Sequence, residues 1–290
     1  MNEHMNHGAG ADGGPTLFAL WSPGTLLLAV IAGFAYFYYV NSLARQQPDV
    51  YKTTSRQKTA FVFGLIVFYA GQGSPISYYG QSSLFSAHML QQSLLYLIMP
   101  PLLYLGIPEW MAKPVLDKRF VRKWLQPLTN PMLSVLLFNL CFSIYHIPFI
   151  MNNVHHNGFW HYGTHVLLIV LAFHMWFPVF APVKEWDRLS DLQKLAYVFA
   201  NGVLLTPACA LIIFSKTIMY PMFAQGPQVF ELLPPLDDQQ LGGTLMKIIQ
   251  EIVYGTVLAF VFFRWFRRER AKDDDLDAIP GEAWLQKNGG

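Results

Sequence analysis

Residues 84–105 read LFSAHMLQQSLLYLIMPPLLYL. The run is long enough to cross a bilayer as a helix, which takes about 20 mostly apolar residues. A helix is also the only open-chain element that satisfies its own backbone in lipid. At 3.6 residues per turn His88, Gln91 and Gln92 fall on one face. The segment therefore reads as a spanning helix with a polar stripe, turned toward a bundle interior rather than toward lipid. Pro100 and Pro101 follow in the same run and are expected to kink or loosen it.

Working outward, six further apolar runs lie near 20–40, 60–76, 131–150, 160–181, 195–219 and 244–266. Gly71, Gly73, Ser74 and Pro75 break the second early. Seven spans of about 20 residues would use roughly 140 positions, which the 53% hydrophobic content of 290 residues can supply. Charged residues make up only 13%, against about 25% in soluble domains. This composition excludes a disordered, collagen-like or nucleic-acid-binding chain, and a net charge of +2 marks no anionic partner. Cys141 and Cys209 both sit in apolar runs, so neither a disulfide scaffold nor a CxxC metal motif is available. Both are expected to pack as small apolar side chains. The first run has no Lys or Arg before Arg45, so it lacks the basic start of a cleaved signal and is expected to stay as a helix.

Basic residues choose the sides. They follow the first, third, fifth and seventh runs, and the segments 1–19, 71–83, 151–159 and 221–243 contain none. Eighteen of the 20 obey this pattern, with Lys216 and Lys247 the exceptions. The positive-inside rule then predicts an all-α, polytopic membrane protein of seven transmembrane helices, N-terminus outside and C-terminus inside. The expected organisation is an outer His- and Gly-rich tail (1–16), a membrane domain (17–270) and a cytoplasmic tail (271–290).

That orientation gathers the histidines. His4 and His7 lie in the outer tail, His88 one turn inside the third helix and His146 near the outer end of the fourth. His155 and His156 fall in the next outer loop, and His161 and His165 open the fifth helix. Only His174 is deep, and it points to the opposite side of its helix from His165. His161 and His165, four apart, are neighbours on one face and spaced to share a metal, with hydrogen bonding to headgroups or neighbouring helices at the interface as the alternative. Met5 and Met89 offer thioethers, and imidazole with thioether favours copper, especially Cu(I). Core packing is the alternative role for each methionine, and interhelical hydrogen bonding the alternative for His88, Gln91 and Gln92.

Lys247 and Glu251 share a face of the seventh helix, Lys247 in its first turn and Glu251 one turn deeper. A carboxylate so placed must be paired, protonated or functional. An ion pair with Lys247 or Lys216 competes with a role as proton acceptor or metal counter-charge. Asp237 and Asp238 are expected in water on the loop entering this helix, as a cap for it.

Several motifs together are more specific than any one alone. LFSAHMLQQSLLYLIMPPLLYLGIP (84–108), YHIPF (145–149), WHYGTH (160–165), FHMWFPV (173–179) and DQQLGGTLMK (238–247) occur in this order, with WSPG at 21–24 and GSP at 73–75. Over most of 20–267 the chain resembles the CtaG-type cytochrome c oxidase assembly factors, the family named for the Caa-type oxidase. The resemblance implies a multi-pass plasma-membrane protein needed for active haem–copper oxidase. It also implies help in supplying copper on the outer side. The HMLQ motif maps to His88, Met89, Leu90 and Gln91, HxP to His146 and Pro148, the paired histidines to His161 and His165, and DQ to Asp238 and Gln239. Many members carry a second His where this chain has Gln92, and Trp where it has Lys247.

The expected function is thus assembly rather than catalysis. His88, His146, His161 and His165 are the candidate copper ligands, and Met89, Gln91, Gln92, Asp238, Gln239, Glu251 and Lys247 are possible accessories. The expected partners are cytochrome c oxidase subunits, a copper donor protein and the lipid bilayer. Three rivals stand beside it: a metal-free scaffold for oxidase subunits, a zinc hydrolase using the same histidines, and a b-type haem protein with His88 as an axial ligand.

Overall fold

The computed structural model describes residues 15–47, 50–225 and 233–277, with side chains to residue 271. It is all-helical, 83% helix without strands among the described residues. Five helices are long and apolar enough to cross a membrane, and two bent pairs raise the number to seven. We label the spans α1 (Pro23–Gln46), α2 (Ser55–Gln72), α3 (Phe85–Gly106), α4 (Pro131–Tyr145), α5 (Gly158–Phe180), α6 (Asp191–Ile213) and α7 (Pro235–Asp277). The bent pairs join α3 to a helix at Glu109–Leu116 through 100°, and a helix at Arg119–Leu128 to α4 through 70°. A short helix, Pro75–Ser82, continues beyond α2 after the break at Gly73 and Ser74.

Local chemistry sets these boundaries. Thr54 caps α2 and Ser190 caps α6, each in a capping box closed by a glutamine three residues on. Asn130 and Asn157 cap α4 and α5. Mid-way along α3, residues Ser93–Ile98 widen into a π-helical segment, and the cause lies just beyond it. Pro100 lacks an N–H to return to the carbonyl four residues back, that of Tyr96. The freed carbonyl accepts instead from the indole Nε1 of Trp176 on α5, at 2.9 Å. The two prolines therefore loosen α3 as expected, and the loosened turn becomes a tie to its neighbour.

α7 departs from expectation. It starts at Pro235, not near residue 244, so Asp237 and Asp238 form its first turn, where carboxylates favour the positive end of the helix. Polar residues that resemble loop are helical because their side chains are satisfied across the bundle. Gln239 accepts from Met219 N at 2.8 Å, and Gln240 donates to Ser215 O at 2.8 Å. Gly242 and Gly243 then permit close packing. A Cβ at Gly242 would stand 2.7 Å from the Phe85 ring, and one at Gly243 would stand 2.9 Å from Ile212. α7 is thereby seated against both α3 and α6.

One continuous apolar core runs through α3 to α7, with Phe138, Phe142, Leu168, Leu205 and Met246 among its fully buried members. Cys209 is buried in it, and Cys141 packs against it. The broad lipid-exposed faces of α1, α4 and α5 are apolar, as at Phe34, Leu140 and Val166. One end of the bundle carries the ion pairs Lys113–Glu185, Lys194–Asp187 and Asp191 with Arg264 and Arg268. The other carries most of the histidines. The tails 1–14 and 278–290, with His4, Met5 and His7, lie outside the described residues.

Candidate functional site

His88 begins the site. It projects from the first turn of α3, which passes close to the Pro75–Ser82 helix at Gly80. A Cβ there would meet His88 N at 2.8 Å. This proximity lets the Gly80 carbonyl accept from His88 Nδ1 at 3.1 Å, while Gln92 Nε2 donates to His88 Nε2 at 2.8 Å. Both nitrogens are engaged, and the carbonyl partner fixes the proton on Nδ1. Gln91 donates to Ser77 at 3.1 Å, so the polar stripe is turned inward as its spacing implies.

Beside His88 stands a histidine that spacing alone does not single out. The His155 ring centre lies 5.7 Å from that of His88 and 4.3 Å from that of His161. The helix Pro148–His155 ends at a turn where Asn157 accepts from Phe159 N, capping α5. This reversal returns His155 onto His161. The Asn157-Gly158 pair, a turn signal in which Asn157 is the N-cap of α5, is the local sign of it. Burial comes first and the nearby His161 and His156 second in pushing the His155 ring down to about 3, so it is neutral at physiological pH. Its Nε2 is 3.3 Å from the Tyr145 hydroxyl.

His146 and His165 flank this group within electrostatic reach of His88. His165 donates from Nε2 to Gln72 Oε1 at 2.7 Å, and its Nδ1 faces the Tyr96 hydroxyl at 3.4 Å. His146 is 1% exposed and donates from Nδ1 to Phe142 O at 2.8 Å. Its Nε2 is buried with no hydrogen-bond partner, as is Nδ1 of His161. A buried acceptor left unpaired costs about 1–3 kcal/mol, and each of these atoms is a ring nitrogen of the type that binds soft metals. A roof of aromatic rings lies over the group. Tyr220 stacks on Phe85 at 4.7 Å, and Phe223 stands 5.5 Å from His88 and 5.7 Å from His155.

The four anticipated histidines therefore come from three elements, α3, the end of α4 and α5, to one end of the bundle, with His155 added. They do not form a closed cage. Among the described residues, no three His, Cys, Asp or Glu side chains stand ready to hold a metal ion as placed. The donor set fits an ion only through its two unpaired nitrogens, with further imidazoles freed by breaking a hydrogen bond such as Gln92–His88 or Tyr145–His155.

The accessory residues take other roles. Met89 is fully buried, its side chain against Gly242. Asp238 is 6% exposed, not in water, and caps α3 rather than its own helix. Its carboxylate accepts from Phe85 N at 2.7 Å and from the Ser86 hydroxyl. Gln239 holds the loop that ends at Tyr220. Lys247 pairs with Glu251 at 2.6 Å and donates to Thr206 at 2.8 Å, well along α7 from the histidines. His174, as expected, stands apart, 3.2 Å from Ser134.

No curated protein and no solved structure matches the chain. A family model does. That of the cytochrome c oxidase caa3 assembly factors matches residues 34–268, well over half the sequence and every span from the latter half of α1 to α7. The chain belongs to the cytochrome c oxidase caa3 assembly factor family.

Proposed function

We propose that the chain assists cytochrome c oxidase assembly by holding copper briefly at its histidine end, on the extracytoplasmic side of the plasma membrane, and passing it to the oxidase. The observation that carries this reading is the pair of buried, unpartnered imidazole nitrogens, His146 Nε2 and His161 Nδ1, within a group that also holds His88, His155 and His165. Neutral imidazole suits Cu(I), and a site short of a closed cage suits a cargo that must leave, since transfer proceeds by ligand exchange. The one-sided distribution of Lys and Arg supports the outward placement.

The second reading, a metal-free scaffold for oxidase subunits, is favoured by the absence of a ready three-ligand group among the described residues and by the private partners of His88 and His165. Titration of detergent-purified protein with Cu(I) against a competing chelator separates the two. Copper holding requires one equivalent bound and loss of at least tenfold in affinity in His161→Ala and His146→Ala, about 1.4 kcal/mol each. Absence of binding, with oxidase activity restored by those variants in a strain lacking the chain, leaves the scaffold.

A further inference from the structure

α7 carries an ion pair where a membrane helix is least able to bear one. Glu251 stands thirteen residues from Asp238 at one end and thirteen from Arg264 at the other. At 1.5 Å per residue each interval is about 20 Å, which places Glu251 at mid-bilayer whichever way the chain is inserted. Its side chain is 63% exposed. The residues around it, Phe199, Val203, Ile248 and Ile252, are also exposed and apolar, which marks this as a lipid-facing surface. Ionisable side chains within spans ordinarily face the bundle or a cavity, because lipid offers them no partner. Lys247 satisfies one oxygen at 2.6 Å, and Thr206 of α6 supports the lysine.

Beside the pair lies a cavity of about 180 Å³ between α6 and α7, lined by Gly202, Val203, Thr206, Lys247, Glu251 and Gly255. A Cβ on Gly255 would meet nothing within 4 Å, so the helix surface there is bare backbone. Small residues of this kind let another helix approach closely, and polar side chains then hydrogen-bond across the contact. We propose that this groove receives a transmembrane helix of the client oxidase, bearing a hydrogen-bond donor at mid-membrane depth that meets Glu251. The proposal rests on the assembly role and names the surface through which it is exercised. A second copy of this chain is the poorer occupant. Copies inserted in one orientation pair about an axis along the membrane normal, which sets Glu251 opposite Glu251 at equal depth.

The test uses the full chain in membranes that also contain epitope-tagged oxidase subunits. A photoreactive benzoylphenylalanine replaces Val203 or Ile252 beside the groove, or Phe34 on the far face of α1 as a control. The expected result is a covalent product containing a tagged oxidase subunit from the two groove positions and none from Phe34. The double variant Lys247→Leu, Glu251→Leu should reduce it roughly three- to tenfold, the size of a lost intramembrane hydrogen bond. Glu251→Gln, which keeps an acceptor, should retain most of it and guards against a folding defect in the double variant. Adducts with a second copy, adducts with lipid alone, or equal labelling from Phe34 would overturn the proposal. If oxidase activity still depends on the chain in those cases, only the docking surface is wrong. If a strain lacking the chain makes normal oxidase, the assembly role itself fails.

Discussion

The His155 and His161 rings stand 4.3 Å apart across the turn that separates the helix Pro148–His155 from α5. Two imidazoles at that separation cannot both carry protons without strong repulsion, and burial already penalises the charged form of His155.

A pH dependence of stability follows. His155 titrates near 3 when folded and near 6.5 when unfolded. The folded state favours the neutral ring, so this contribution is fully present above about 6.5 and is lost progressively as pH falls toward 3. Thermal unfolding in detergent should show a falling melting temperature from pH 7 to pH 5, with a slope of up to about 1.4 kcal/mol per pH unit from this group. His155→Phe should reduce that slope by this group's share; an unchanged slope would assign it elsewhere.

Asp238 provides a second test, since its carboxylate caps a helix 153 residues away in sequence. Asp238→Ala should destabilise the bundle by about 1–3 kcal/mol, combining a lost cap with unpaired buried N–H groups. Asp238→Asn keeps an acceptor and should recover a large part. Asn at this position performing no better than Ala in thermal unfolding would mean that the charge, not the cap, is what matters.

Gly80 should tolerate no side chain. Gly80→Ala places a Cβ 2.8 Å from His88 N and forces the Pro75–Ser82 helix away from α3. Overpacking of this kind costs about 1–3 kcal/mol. Gly163→Ala, where nothing lies within 4 Å, is the control and should change the melting temperature little.

The indole of Trp176 and the ring of Pro100 should be energetically coupled. Trp176→Phe strands the Tyr96 carbonyl and should cost about 1–3 kcal/mol. Pro100→Ala restores a backbone donor able to reach that carbonyl. The double variant should therefore lose less than the two single losses added, and strict additivity in a double-mutant cycle would refute the coupling.

Much of this was legible in the chain. Apolar runs of spanning length do not need tertiary context, so the spans appear near their expected positions, and His88 with Gln91 and Gln92 turns inward because lipid leaves no alternative. What escaped was tertiary. His155, expected in a loop, ends the helix Pro148–His155, and it joins the site only because a turn at Asn157 folds that helix back on the next. Asp238 is buried only because α3 presents uncapped N–H groups beside it. The start of α7 was misjudged because QQLGG reads as a polar connection until the backbone groups of Ser215 and Met219 are found bonding to it.

The cap supplied to α3 by Asp238 also imposes an order on biogenesis. The third helix is inserted long before the last emerges from the ribosome, and until then its leading turn has no carboxylate to close it. A nascent chain halted ahead of α7 would carry the histidines beside an α3 whose leading turn is still open, so the histidine end is completed only once α7 is in place.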